Sequence, residues 1–342
     1  MVLGSGHTMI SPRSFLHVAN GSATTDLIEA AGMTGRVSIW ADPLYEGPVR
    51  GGLSDLELLH ERARYLSGDG AVSQADVAKG LQRWRDEIED VASYDELVLW
   101  YEHDLFDQLN LIQLLSWLKS RLPAATSVSL VEIGSWPGRP AFKGLGELTP
   151  SDIASLFETR QPVSSERYEL AARAWTAFRQ TTPEAVDALR QHDNTAMPFL
   201  SAALKRFLQE YPWTSDGLSR CERRLLTIAQ SGPVDLWTAF LKMHEGETAY
   251  YITDLSWLRM LRDFSRCTPR LISVEDIPFD ADRVPHGTLA ITDAGRAILN
   301  RTADRVAAYG IDRWLGGVHL TGSDGEWRWD EECDQMVLGS RA

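Results

Sequence analysis

The chain has 342 residues, of which 44% are hydrophobic and 24% are charged, values typical of a globular protein. Its 34 basic and 48 acidic residues give a formal charge of −14, which disfavours non-specific binding to nucleic acid because phosphate neutralisation needs Lys and Arg. No uninterrupted apolar run is long enough for a membrane span. The three cysteines lie far apart, and the N-terminus lacks the order of a secretion signal, so we expect a cytoplasmic protein.

The first part of the chain alternates between short apolar strands and helices. Strands are predicted at residues 15–19, 37–40, 97–101 and 128–133, and helices at 22–31, 53–66, 77–91 and 104–118. Such alternation is typical of a parallel sheet with helices on both faces. We therefore predict an α/β fold, with a mainly parallel Rossmann-like sheet flanked by helices over residues 10–148.

The rest of the chain follows a different pattern. Residues 149–214 are predominantly helical and are predicted to form a helical linker domain. Residues 215–335 contain three helices, a two-stranded wing and a closing helix, which is the order of a winged-helix-like domain. Trp314, Trp327 and Trp329 predict that the C-terminal tail is an aromatic hairpin packed on this domain.

Several segments resemble a known bacterial family. They are Leu16-His17-Val18-Ala19-Asn20-Gly21-Ser22, Trp40-Ala41-Asp42-Pro43-Leu44-Tyr45-Glu46-Gly47-Pro48, Leu99-Trp100-Tyr101-Glu102-His103-Asp104-Leu105-Phe106-Asp107-Gln108 and Gly144-Leu145-Gly146-Glu147-Leu148-Thr149. Together with the tryptophan-rich tail, they are similar to the family catalogued as domain of unknown function 1835. The resemblance extends over residues 14–330 and implies a bacterial intracellular protein. It transfers no catalytic residues.

Acidic side chains follow two of the predicted strands. Asp42 and Glu46 come after the second strand, and Glu102 and Asp104 after the third. Because parallel strands end at the same edge of a sheet, these four side chains are candidate ligands for Mg²⁺ or Mn²⁺, which prefer oxygen. Such a metal would support hydrolysis or transfer on a phosphorylated or nucleotide-like small molecule.

Other polar residues at this edge are candidates for catalysis and ligand binding. Glu102, His103 and Asp104 are the catalytic candidates, since a carboxylate or an imidazole can act as a base. Ligand-binding candidates are Asn20, Gly21 and Ser22, which precede a helix N-terminus suited to an anion, and Arg62, which could clamp one.

A purely structural interpretation of the same residues stays open. Asp42 can start a turn before Pro43, and Asp104 can cap its helix. Asp107 can be a solvated first-turn residue that is favoured by the helix dipole. Arg62 can belong to a solvated helix face. His17, inside an apolar strand, is predicted to be a core histidine.

The winged-helix-like region supports a second class of function. Arg259, Arg262 and Arg266 have helical spacing on its predicted recognition helix and could contact DNA. However, residues 215–303 hold 11 basic and 12 acidic residues, and Asp280 and Asp282 oppose Arg283 in the predicted wing. The alternative to an enzyme is thus a ligand-sensing regulator whose winged helix binds DNA or a partner protein. Either protein could form a homodimer.

Overall fold

The computed structural model describes residues 14–68, 70, 72–121, 126–275, 287–323 and 327–339. The predicted wing residues Asp280, Asp282 and Arg283 lie outside these ranges, as do residues 10–13 of the first predicted domain. The elements of the first half are β1 (Phe15–Ala19), α1 (Ser22–Ala30), β2 (Arg36–Ile39), β3 (Gly47–Pro48), α2 (Asp55–Leu66), α3 (Gln74–Glu89), β4 (Glu96–Glu102), α4 (Leu105–Lys119), β5 (Ser127–Ile133), α5 (Pro150–Phe157) and β6 (Gln161–Pro162).

The elements of the second half are mainly helices and hairpins. They are α6 (Ser165–Phe178), α7 (Glu184–Arg190), α8 (Leu200–Leu208), α9 (Arg220–Gln230), β7 (Val234–Asp235), α10 (Leu236–His244), α11 (Asp254–Arg266), β8 (Ile272–Glu275), β9 (Thr288–Ile291), α12 (Asp293–Leu299), α13 (Arg305–Tyr309), β10 (Ile311–Gly316), β11 (Val318–Gly322), β12 (Trp327–Asp330) and β13 (Gln335–Leu338). None of the described helices is both long and apolar enough to cross a membrane.

A five-stranded sheet in the order β2-β1-β4-β5-β6 organises the first half. Strands β1, β2, β4 and β5 are parallel, which confirms the predicted mainly parallel sheet, and β6 pairs antiparallel with β5. The chain first moves outward from β1 to β2, then returns to β4 on the other side of β1. The carboxyl ends of β1 and β4 therefore flank the topological switch point, where open α/β sheets bind ligands.

Helices bury both faces of this sheet. Val98 and Trp100 pack with Ile28 of α1 and Ile153 of α5, whereas Leu97 and Leu99 belong to the core that contains α4. Side chains alternate between the faces with a period of two residues, and because both faces are covered, the strands are rich in apolar residues on both faces.

Residues 149–214, predicted as a linker domain, pack directly on the sheet domain. They supply β6 to the sheet edge, and α6 and α8 pack against α4. Helix α4 is consequently buried on almost every side.

The C-terminal region has the predicted order of three helices, a hairpin and a closing helix. Helices α9, α10 and α11 are accompanied by a small antiparallel sheet in the order β7-β9-β8, and α12 follows. We refer to residues 219–299 as the C-terminal module.

The tail corrects the expectation of one aromatic hairpin packed on the C-terminal module. It forms two hairpins, and β10 of the first pairs in parallel with β3 from the sheet domain, Leu315 lying opposite Gly47. In the second hairpin Trp329 forms a bridge with Trp213, just before the module. The tail thus binds back onto the first half of the chain.

Candidate functional site

The switch point of the sheet holds three buried carboxyl groups, Glu102, Asp104 and Asp107, and the half-buried Asn20; we call these four side chains the switch-point cluster. Asn20 follows β1, and Glu102 is the last residue of β4. Asp104 is the N-cap of α4, and Asp107 lies in the first turn of that helix. The ends of two neighbouring parallel strands therefore bring these side chains together.

Asn20 links two of the carboxylates. Its Nδ2 donates to Glu102 Oε1 at 3.0 Å and to the two Asp107 oxygens at 3.1 and 3.0 Å. Its Oδ1 accepts from the Thr24 hydroxyl at 2.7 Å, which fixes the direction of the amide. Asp107 also accepts from the Glu102 backbone N–H at 2.5 Å. Asp107 therefore holds the end of β4 in place.

A loop after β5 covers the Glu102 carboxylate. The Leu145 backbone N–H donates to Glu102 Oε1 at 2.5 Å. Gly144 lies so close that a Cβ atom on it would overlap the Glu102 carboxylate, although its extended backbone suits any residue. A side chain at this position would have to displace the Glu102 carboxylate from its contacts with Asn20 and Leu145.

Burial raises the pKa values of all three carboxyl groups. The pKa of Glu102 rises to about 7 because of burial and the nearby negative charge of Asp104. Burial raises the pKa of Asp104 to about 6, and burial together with the Glu102 and Asp104 charges raises the pKa of Asp107 well above its usual value. Among the described residues, no Lys or Arg forms an ion pair with these groups. Near neutral pH, Glu102 can therefore both accept and donate a proton.

Three further side chains surround the cluster. His103 is half-buried against the Phe199 ring, with 6.0 Å between ring centroids, and burial lowers its pKa. Tyr251 arrives from the C-terminal module, whose Ala249 carbonyl accepts from the Leu105 N–H at 2.7 Å. Burial and the neighbouring carboxylates raise the pKa of Tyr251 to about 12, and Lys143 Nζ lies 5.9 Å from its ring centroid.

Asp42 is held by Arg62 and is separate from the switch-point cluster. Arg62 Nε donates to the two Asp42 oxygens at 3.1 and 3.0 Å, and Arg62 Nη2 donates to Asp42 Oδ1 at 2.7 Å. The remaining Arg62 donors reach the carbonyls of Pro43, Glu46 and Pro48. Arg62 is only 1% exposed, so its predicted role as an anion clamp is wrong: all of its donors are used to hold the loop after β2.

Glu46 is bound by the C-terminal module. Its Oε1 lies 3.0 Å from Arg259 Nη1, and its Oε2 accepts from the Ser256 hydroxyl at 3.0 Å. The predicted DNA-contacting residue Arg259 thus faces the sheet domain, with 19% of its side chain exposed. Arg262 is half-buried and Arg266 is exposed, so the three arginines differ in exposure along α11.

The four predicted metal ligands do not converge. Asp42 and Glu46 are engaged by arginines, while Glu102 and Asp104 belong to the switch-point cluster. Within the described part of the chain, no group of three or more His, Cys, Asp or Glu side chains is arranged to hold a metal ion. The residues present therefore do not fit the predicted Mg²⁺ or Mn²⁺ site.

The other predicted ligand-binding residues lie beside the cluster. Gly21 is the N-cap of α1 and provides no side-chain cap, and Ser22 is exposed. The helix N-terminus favours an anion, but the neighbouring Glu102 and Asp107 carboxylates repel one when ionised. A phosphate next to Gly21 is therefore disfavoured, whereas a hydroxyl or amine is compatible with the site.

No family model matches the chain, and no curated protein matches it at a significant level. The resemblance to domain of unknown function 1835 stays a prediction. The site is therefore interpreted from its own chemistry.

Sequence reasoning placed Asp107 among the acidic residues after the third predicted strand, but left open that it is a solvated first-turn residue. The structure excludes that alternative, since Asp107 is 1% exposed. Its position in a strongly apolar helix, beside Gln108 and Asn110, was the available signal that it is buried. Gly144 and Leu145 had no assigned role, and nothing in their local sequence shows that they cover Glu102.

Proposed function

We propose that the protein is an enzyme, a hydrolase or transferase, that acts on a small polar molecule at the switch-point cluster, with Glu102 as general acid–base. One observation supports this most: a carboxyl group with a pKa of about 7 lies at the ligand-binding edge of a doubly wound sheet. It is held by two donors, Asn20 Nδ2 and the Leu145 N–H.

In the proposed mechanism, ionised Glu102 takes a proton from a hydroxyl, an amine or a water molecule next to the substrate. Asn20 and the Leu145 N–H stabilise the carboxylate, while burial and the negative charge of Asp104 favour its reprotonation. The proton then returns to the leaving group. His103, whose lowered pKa keeps it neutral near pH 7, is a second group that can hold a proton.

The acidic surroundings restrict the proposed substrate. A nucleoside-like or sugar-like molecule would present a neutral or cationic group to Glu102, because a phosphate there would meet carboxylates. Lys143, at the outer edge of the cluster beside Tyr251, is a site for a more distant negative group of the substrate.

A regulatory protein is the second candidate, and one contact favours it. The segment between α10 and α11 binds the start of α4 through Leu105 and Ala249, directly beside the predicted ligand site. A ligand at the switch point would therefore contact the C-terminal module as well as the sheet. In this proposal the module, acting as a winged helix, transmits ligand binding to a partner protein or DNA.

We also propose a cytoplasmic location and a bacterial origin. Cys221, Cys267 and Cys333 are all free thiols, and Cys333 is exposed. Free thiols are typical of a reducing compartment.

The proposed enzyme is tested by ligand binding followed by kinetics. Thermal-shift assays would screen nucleosides, amino sugars and sugar phosphates, with and without MgCl₂, since a ligand that binds the native state raises the melting temperature. Glu102→Gln and the control Glu158→Gln, at an exposed position just after α5, would be compared. We expect turnover of any hit to fall at least about 100-fold in Glu102→Gln only. Full activity of Glu102→Gln would refute the proposal.

A further inference from the structure

A cavity lies away from the switch-point cluster, between the sheet domain and the C-terminal half. Its volume is about 410 Å³, which is within the range of small-molecule sites. Tyr45 and Tyr65 from the sheet domain form one side, and residues of α9, α11 and β10 form the other. It is therefore a site that every major part of the chain helps to build.

Negative charge predominates on the wall of this cavity. Its carboxylates are Glu46, Glu210, Glu222, Asp263 and Asp312, and its guanidinium groups are Arg259 and Arg313. Arg259 is paired with Glu46, and Arg313 with Glu222. Outside the wall, Arg206 pairs with Glu210, and His319 with Asp312.

Asp263 is the wall carboxylate for which no ion pair is formed with another described residue. In the described part of the chain its side chain makes no hydrogen bond or ion pair, although it is accessible at the cavity wall. The charges of Arg313, Arg305 and Arg262 act on Asp263 without forming an ion pair with it, and Arg313 is engaged by Glu222. A cation in the cavity would give Asp263 the direct ion-pair partner that the described residues do not supply.

Aromatic rings and a buried hydroxyl complete the wall. The Trp314 ring stacks on the His319 ring, with 4.2 Å between the two ring centroids. Trp314 also lines the cavity. The Tyr45 hydroxyl is buried near the Ser256 and Thr253 hydroxyls, and Tyr45 also lines the cavity. An ammonium group is stabilised by aromatic faces and donates to carboxylate and phenol oxygens.

We propose that this cavity binds an organic cation, a primary diamine or short polyamine, with one ammonium group on Asp263. An anion is disfavoured because both guanidinium groups are already paired and the other charges are negative. The proposal is independent of the catalytic role of Glu102, since Glu102 does not line the cavity.

Isothermal titration calorimetry on the full chain tests this site with putrescine and spermidine as probes, and with 1,4-butanediol as the uncharged analogue of putrescine. We expect one-to-one binding of the amines and none of the diol. Asp263→Asn should weaken the affinity at least about tenfold, the effect of losing one charge pair. Asp254→Asn, an exposed carboxylate at the start of the same helix, is the control for non-specific attraction to an acidic protein.

A second variant separates loss of the site from loss of the fold. Trp314→Leu removes the ring and leaves the charges, so it should also weaken spermidine binding while the titration endpoint stays at one site. Equal affinity in Asp263→Asn and wild type, or several weak sites that Asp254→Asn alters equally, would overturn the proposal. So would tight binding of the diol.

Discussion

At the scale of single residues, the switch-point cluster combines three buried carboxyl groups whose pKa values are raised. Glu102, Asp104 and Asp107 are all buried, and no described cation pairs with them. Their hydrogen bonds come from Asn20 and from backbone N–H groups, which only partly compensate for burial. Such an arrangement is costly to stability and is typical of functional sites.

The raised pKa of Glu102 predicts a dependence of stability on pH. Because the folded state holds the proton up to about pH 7 and the unfolded state only to about its ordinary value of 4.5, this group stabilises the fold below pH 4.5, and the contribution is lost as the pH rises to 7. The Glu102→Gln variant keeps a neutral side chain. Its free energy of unfolding relative to wild type should therefore increase, by up to about 3 kcal/mol, between pH 5 and 8.

Urea denaturation at pH 5, 6, 7 and 8 measures this difference. The Glu158→Gln variant, at an exposed position just after α5, provides the baseline. A constant difference between Glu102→Gln and wild type across this range would show that Glu102 is ionised throughout.

Gly144 and Gly146, the two neighbours of Leu145 in the sequence, give a matched steric test. In Gly144→Ala the new methyl group meets the Glu102 carboxylate, so we expect a loss of about 2 kcal/mol of stability. In Gly146→Ala the methyl group lies 3.5 Å from the Ala23 Cβ, an ordinary contact, and stability should change by less than about 0.5 kcal/mol. Thermal unfolding of both variants checks this; equal stabilities would mean that the loop does not cover Glu102.

At the scale of elements, α4 shows how a sheet helix can carry polar side chains in a core. Asn110 bonds both the backbone N–H and carbonyl of Asp42, and Gln113 accepts from the Trp40 indole at 2.8 Å. Both residues are buried in a helix whose other side chains are mostly apolar. The polar positions of α4 thus attach the loop after β2 to the helix.

The same loop depends on the ion pair of Asp42 with Arg62 of α2. Arg62→Met removes a buried cation and leaves Asp42 uncompensated, so we expect a loss of about 3–5 kcal/mol of stability. Arg64→Met, two positions along α2 and exposed, should change stability by less than about 0.5 kcal/mol. Chemical denaturation of both variants measures the contrast, and near-wild-type stability of Arg62→Met would contradict this role.

Helix α11 connects the C-terminal module to the sheet domain through Arg259 and Glu46. A double-mutant cycle with Glu46→Gln and Arg259→Gln should give a coupling energy of about 1 kcal/mol, as expected for a partly buried pair. The cycle uses stabilities from urea denaturation. A coupling energy near zero would mean that Arg259 is available for other contacts, including nucleic acid.

At the scale of the whole molecule, one continuous hydrophobic core joins the three predicted domains. It contains Leu16 of β1, Phe207 of α8, Trp257 of α11 and Met336 of β13. The tail strand β10 adds backbone pairing with β3. The parts of the chain are therefore expected to unfold together rather than one by one.

A truncated protein tests this cooperativity. A fragment of residues 14–214 would lose the strand beside β3 and the partners of Glu46, and would expose the apolar face that α9 and α11 cover. We expect it to melt at a lower temperature and less cooperatively than the full chain, which should show a single transition by calorimetry. An unchanged melting temperature for the fragment would show that residues 14–214 form an independent unit.

Much of the secondary structure could be predicted from local patterns. Apolar runs flanked by glycine, asparagine or aspartate marked β1, β4 and β5, because a strand that is buried on both faces needs apolar residues throughout. Asp104 was recognised as an N-cap candidate, and its Oδ1 accepts the Asp107 N–H at 2.9 Å. His17 is a core histidine that accepts from the Trp100 indole at 3.2 Å. The helix cap at Asp104 and the burial of His17 could both be predicted because each depends on the residue type and its immediate neighbours in the sequence.

Only the tertiary structure decided which charged groups meet. Asp42 and Glu46 lie four residues apart, yet one is held by Arg62 and the other by Arg259, 213 residues further along the chain than Glu46. Gly144 and Leu145, which cover the Glu102 carboxylate, are likewise distant from Glu102 in the sequence. Hydrophobic periodicity depends on neighbours within a few residues, whereas the pKa of a carboxyl group depends on burial and on partners brought close by folding, which no local pattern contains.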